Sequence, residues 1–171
     1  MSNEREPRLN YKIYTDPTPL PSDIPPVDEL GTTSAPLYSA AYFIGARCQP
    51  YNDDFMLCKE EAQGTGELDC LKEGRRVTRC AASVIKDLNA HCAESFKLHY
   101  ECLNENNYRM SNCRKAETLF NNCVFENLKL KKEIPNAPEQ IHLKQNTRFG
   151  PIFEDRPSAA AYDLAKKEGK I

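Results

Sequence analysis

The chain has 171 residues, of which 40% are hydrophobic and none is tryptophan, and its mean hydropathy is −0.67. This is too little apolar material for one large core, whereas eight cysteines indicate a small scaffold stabilised by disulfides. The balance of 23 basic and 25 acidic residues, with an isoelectric point near 6.0, argues against a nucleic-acid-binding protein.

The N-terminal segment, residues 1–34, holds six of the twelve prolines and predicts an extended arm. Proline fixes φ and lacks an amide donor, so this segment is not expected to be helical. Two interpretations stay open: a floppy tail, or an arm that remains extended until it lies along a partner. The arm lacks the apolar stretch of a secretory signal and is too acidic for a transit peptide. No stretch of 18 apolar residues predicts a transmembrane segment.

The next segment, residues 35–129, contains all eight cysteines and predicts an all-α fold. Ser34 is expected to cap a short helix that continues to Gly45, and Gln49-Pro50 to end or kink it. Residues 130–171 predict an irregular C-terminal tail that drapes over the surface rather than packing a core. A brief helix is expected in this tail after Ser158.

The cysteine spacing indicates helical hairpins. Nine residues separate the two members of each successive pair, and the pairs are Cys48 and Cys58, Cys70 and Cys80, Cys92 and Cys102, and Cys113 and Cys123. Ten positions along an α-helix advance about 15 Å, so the members of one pair share a broad face but cannot bond to each other.

Two such helices packed antiparallel bring facing cysteines into bonding range. Of the three pairings possible for four cysteines, this arrangement permits only outer with outer and inner with inner. The predicted disulfides are Cys48–Cys80 and Cys58–Cys70 in a first hairpin, and Cys92–Cys123 and Cys102–Cys113 in a second. The first hairpin, with its preceding short helix, covers residues 35–90, and the second covers residues 91–129.

The connections between the cysteines support this division into two hairpins. Gly64-Thr65-Gly66 and Asn104-Glu105-Asn106-Asn107 are typical of the turns inside them. Between Cys80 and Cys92 the helical spacing continues without glycine or proline, which predicts a helical link at a fixed angle.

Other chemistry for these cysteines finds no support in the spacing. A structural zinc site needs ligands two to four residues apart, and both copper carriers and thiol-disulfide exchangers use closely spaced cysteines, which the chain lacks. His91 and His99 are interpreted as surface or interface residues. Lys129, Lys131 and Lys132 are interpreted as cations that close the last helix. The sequence therefore predicts no catalytic residue, no metal and no cofactor.

Twin C-x9-C hairpins resemble the coiled-coil-helix-coiled-coil-helix (CHCH) proteins. Four such pairs over residues 37–128 are similar to the quadruple C-x9-C accessory subunits of mitochondrial respiratory complex I, the PGIV subunit family. The segments that carry this similarity are Asp54-Phe55-Met56-Leu57-Cys58, Cys70-Leu71-Lys72-Glu73-Gly74, His91-Cys92-Ala93-Glu94-Ser95-Phe96 and Asn112-Cys113-Arg114-Lys115.

The resemblance implies a non-catalytic subunit without a redox centre, attached peripherally to the inner membrane. It would lie on the intermembrane-space face of the membrane arm, where it would be needed for assembly or stability of the complex. Its partners would be other complex I subunits and, during import, a disulfide-relay oxidoreductase that recognises a hydrophobic residue near a docking cysteine. Phe55 near Cys58, or Phe120 near Cys123, would suit this recognition.

Two other functions remain open at this point. A soluble assembly factor or chaperone of the same compartment would need only the hairpins and would leave the complex after maturation. A thiol oxidoreductase or metal carrier would need labile cysteines, including a redox-active pair.

Overall fold

The fold consists of helices connected by turns and extended segments. The computed structural model of the protein describes residues 19–62, 66–133, 136 and 156–171, without the side chains of Glu67 and Leu68. Within these ranges the helices are α1 (Ser34–Glu61), α2 (Gly66–Asp69), α3 (Leu71–His91), α4 (Ala93–Glu105), α5 (Arg114–Asn127) and α6 (Pro157–Lys167), with a 3-10 turn at Met110–Cys113. The all-α class with disulfide-stapled helices is confirmed.

The first helix differs from its prediction, because α1 is continuous through Pro50. Proline removes one backbone hydrogen bond, to the carbonyl of Ala46. Ala46 and Pro50 are both exposed, so water can satisfy that carbonyl. Disulfides on either side of Pro50, at Cys48 and Cys58, also fix the helix against α3. Thr33, not Ser34, occupies the N-cap position, without a side-chain hydrogen bond.

The described part of the predicted arm lies along its own chain. Ile24 is 5% exposed, and Leu30 packs against the core. The Asp23 carboxylate pairs with the Lys72 ammonium at 2.8 Å, and Asp28 pairs with Lys86 at 3.0 Å. Residues 23–28 therefore lie beside α3, while residues 1–18 lie outside the described residues.

The connections between the helices are tight. Helix α3 runs from the first hairpin to His91 and is followed by α4 after a break at Cys92, so the predicted helical link between the hairpins is present. The turn between α4 and α5 contains Asn107 and Tyr108 with φ of 51° and 61°. In the first hairpin, Gly66 begins the short helix α2, and Gly64 and Thr65 lie outside the described residues.

One aromatic core joins the two hairpins. Phe43, from the N-terminal half of α1, meets Phe120 of α5 edge-to-face at 5.3 Å between ring centroids. Phe120 in turn stacks on Phe96 of α4, also at 5.3 Å. Val84 and Leu88 of α3 complete this cluster and are fully buried. Helix α1, which forms one arm of the first hairpin, therefore also packs against the second hairpin, and the four long helices share a continuous interior.

The described end of the C-terminal tail forms a helix that lies against the hairpins. Helix α6 confirms the brief helix expected after Ser158 and contacts α4 and α5. Ala159 is 1% exposed, and Asp163 pairs with Lys115 of α5 at 3.1 Å. Ala159 is the buried residue of this helix, and α6 contributes no residue to the core clusters, so α6 lies on the surface of α4 and α5, as expected for a tail that does not pack a core.

Candidate functional site

Four disulfides form a covalent frame that links the helices. In the first hairpin, disulfides join Cys48 to Cys80 and Cys58 to Cys70, with Cα–Cα distances of 5.8 and 6.0 Å. In the second hairpin, disulfides join Cys92 to Cys123 and Cys102 to Cys113, and both Cα–Cα distances are 5.9 Å. All eight cysteines are used, and the pairs brought together are those expected from the spacing.

The frame is part of the core rather than an addition to its surface. In each disulfide at least one cysteine is buried: Cys48, Cys70, Cys92 and Cys113 are between 1% and 3% exposed. Disulfides in such surroundings restrict the unfolded chain and fill interior volume at the same time. The frame therefore fixes the spacing and direction of the helices that form the outer surface.

A second feature of the interior is a buried ion cluster, formed by Arg114, Glu117, Asn121 and Lys132. The Lys132 ammonium lies 2.6 Å from one Glu117 carboxylate oxygen, and the Arg114 guanidinium pairs with the other. The Lys132 and Glu117 side chains are only 2% and 4% exposed. Lys132 also donates to the Asn121 side-chain oxygen at 3.4 Å and lies 5.0 Å from the Tyr42 ring centroid.

The position of Lys132 corrects a prediction. Helix α5 ends at Asn127, and the chain then turns at Lys129, where φ is 55°. Lys132 consequently points into the protein instead of closing the helix from outside. Burial raises the pKa of Glu117, but Lys132 and Arg114 more than offset this, so the net pKa lies below its ordinary value. The cluster fixes the segment after α5 to the helical core.

His99 was expected at the surface or at an interface, but it is fully buried in the interior of the chain. Its Nδ1 atom is hydrogen-bonded to the Ser39 hydroxyl of α1 at 2.7 Å, and its ring stacks on Phe120. Burial is the main reason that its pKa falls to about 4; Lys132 and Arg114 lower it further, while Glu117 opposes the shift. His99 is therefore neutral at pH 7. The second histidine of this pair, His91, is exposed.

Comparison with known proteins identifies the family. No protein-family model matches the chain. The 20.8 kDa subunit of NADH-ubiquinone oxidoreductase from Neurospora crassa is 59% identical over 144 residues, which cover 82% of this chain and 79% of that protein. The chain belongs to this family of complex I subunits. Subunits 8-A and 8-B of the NADH dehydrogenase [ubiquinone] 1 alpha subcomplex from Arabidopsis thaliana are each 35% identical over 88 residues. These matches cover 52% of this chain and 80% and 81% of the two plant proteins.

Membership of this complex I family makes the chain an accessory subunit rather than a catalytic one, and it confirms the resemblance to complex I subunits. Within the described ranges, no group of three or more His, Cys, Asp or Glu side chains is arranged to hold a metal ion. In the same ranges, no helix is both long and apolar enough to cross a membrane.

Sequence reasoning missed the buried ion cluster and the role of His99. One signal was available in α5, where Glu117 precedes Phe120 by three residues and Val124 by seven. These positions share one helix face, so a charged residue there indicates a buried partner. Lys132 gave no comparable signal, because it lies beyond the end of the helix. Ser39 and His99 are 60 residues apart in the sequence, and only the folded core brings them together.

Proposed function

We propose that the chain is a non-catalytic accessory subunit on the intermembrane-space face of the membrane arm of complex I. There it contacts other subunits, is attached peripherally to the inner membrane, and is needed for assembly or stability of the complex. The observation that carries the proposal is the combination of four disulfides using every cysteine with 59% identity to a named complex I subunit. Persistent disulfides are characteristic of an oxidising compartment, which favours the intermembrane space over the matrix side.

The shape of the molecule suits a scaffold. The first stapled hairpin, residues 35–90, is held to the second, residues 91–129, by the aromatic core that they share, to which α1 of the first hairpin contributes Phe43. A surface that is already rigid loses little conformational entropy when it is covered by a partner. A compact body of this kind can bridge neighbouring subunits without any chemistry of its own.

The cysteines also suggest how the subunit is retained in this compartment. In the proposal, a disulfide-relay oxidoreductase introduces the disulfides during import, and folding then prevents escape. Phe55 lies three residues before Cys58 and remains half-buried, whereas Phe120, three residues before Cys123, is 1% exposed. Both are apolar neighbours of a cysteine in the unfolded chain, which is the form that the oxidoreductase would meet.

Selective opening of the outer mitochondrial membrane tests the location. In the proposal, externally added protease leaves the chain intact in whole mitochondria and reaches it once the outer membrane is ruptured by swelling. A matrix protein serves as the control and should stay protected in both samples. Continued protection after swelling, together with reduced thiols detected by alkylation, would contradict the proposed location.

A further inference from the structure

The outward face of α3 carries a row of positive side chains. They recur at helical spacing and consist of Lys72, Arg75, Arg76, Arg79 and Lys86. Side chains three and four residues apart lie on one helix face. The opposite face buries Val84 and Leu88 in the core, so the row points away from the body of the protein. Between the cations this face has only small side chains, Ala82 and Ser83.

Both ends of this face are already paired with the N-terminal arm. Asp23 pairs with Lys72 at one end, and Asp28 pairs with Lys86 at the other. The arm is held in place by Ile24, which is buried against the protein. The chain therefore shows, with its own residues, that an extended segment bearing carboxylates can lie beside α3.

The middle of the face, which we call the arginine row, consists of Arg75, Arg76 and Arg79. In the part of the chain that the structure describes, these three residues make no ion pair. Arg76 and Arg79 are exposed, and Arg75 is half-buried. The row is about 6 Å long along the helix axis, and its like charges repel one another at this spacing. An anionic partner would relieve that repulsion.

The geometry points to a partner segment with carboxylates. We propose that the arginine row binds Asp and Glu side chains of a neighbouring protein subunit. Guanidinium groups are planar and weakly hydrated and can hold a carboxylate through two parallel hydrogen bonds. This inference rests on the proposed function, since the neighbour is a subunit of the same complex. The length of the arginine row matches one or two carboxylates on a single segment of that neighbour.

The flanking acids favour a protein partner over a phospholipid surface. The Asp23 and Asp28 side chains are 57% and 84% exposed and pair with Lys72 and Lys86 at the two ends of this face of α3. A plane of anionic headgroups would cover the whole face, where these carboxylates already neutralise Lys72 and Lys86, so it would be attracted by the three arginines alone. The face also lacks a large apolar side chain that could enter a bilayer. A narrow segment can reach the arginines between the two acids.

The first test removes the charge of the row in the full-length chain, in its own mitochondria. The variant R75Q/R76Q/R79Q is compared with K131Q/K166Q/K167Q, which removes three exposed cations from other surfaces. Retention in complex I after a high-salt wash is measured on native gels. The arginine variant is expected to be retained at least tenfold less than the wild type, which corresponds to about 1.4 kcal/mol. The lysine control should be retained normally.

Folding is checked independently through the circular dichroism and non-reducing mobility of the purified chains. The conservative variant R75K/R76K/R79K keeps the charge and should recover part of the retention. Equal retention of R75Q/R76Q/R79Q and the wild type would overturn the inference but leave the proposed function standing. Absence of the wild-type chain from the complex would overturn both.

The second test identifies the partner chemistry directly. In the variant R76K, a carbodiimide can join the introduced amine to a nearby carboxylate, and mass spectrometry locates the linked peptide. A link to an Asp or Glu of another subunit is the expected result. Links only to Asp23 or Asp28 of the same chain would overturn the inference. The inference would also be overturned if the wild-type chain floated with cardiolipin-containing vesicles and R75Q/R76Q/R79Q did not, while both chains were retained equally in the complex.

Discussion

Replacing the buried histidine should remove a large part of the pH dependence of folding stability. The pKa of His99 is about 4 in the folded protein, against 6.5 as the ordinary value. Between these values the unfolded chain binds a proton that the folded chain does not, so stability must fall as the pH falls. The difference corresponds to about 3 kcal/mol in total, of which about 2 kcal/mol is lost between pH 7 and pH 5.

Urea unfolding at these two pH values, with the disulfides intact, measures this loss. The variant H99Q keeps an amide that can bond to the Ser39 hydroxyl but does not titrate, so its stability should change much less over the same range. The matched control is H91Q, at an exposed position, which should behave like the wild type. Equal pH dependence of H99Q and the wild type would refute the reasoning.

Three further predictions concern the interior. K132A leaves the buried Glu117 carboxylate with Arg114 as its remaining cation, so the free energy of unfolding should fall by about 3 kcal/mol. A double-mutant cycle with E117Q should show strong coupling between the two positions. F120A should cost about 3–5 kcal/mol in urea unfolding, because its ring contacts aromatic rings from two other helices. C58S/C70S opens a loop with a sequence separation of 12 and should cost about 3 kcal/mol, measured by thermal unfolding. Unchanged unfolding in any of these variants would contradict the packing that motivates it.

The hairpin architecture could be predicted from sequence because it rests on a repeated local rule. Equal spacing on two helices makes both facing pairs coincide, so Cys48 opposite Cys80 implies Cys58 opposite Cys70. The turn near Asn107 could be predicted for a similar reason, since Asn tolerates positive φ. These inferences need only the geometry of a helix and of a turn.

The remaining features depend on tertiary contacts that no local pattern reports. Pro50 is a strong local signal for a helix end, yet packing and disulfides to α3 keep the helix continuous. His99 and Lys132 are polar residues of ordinary surface type. Their burial follows from partners contributed by α1 and α5, and such partners cannot be chosen before the fold is known.

Native gel electrophoresis of gently solubilised mitochondria tests the central claim most directly. The chain is detected by immunoblotting beside an in-gel stain for NADH dehydrogenase activity, in steady-state material and without added reductant. The proposed function predicts that nearly all of the chain migrates with the active large complex. If most of it migrates as a small free species or with partial assemblies, the chain is an assembly factor or chaperone and the claim of a resident subunit is contradicted.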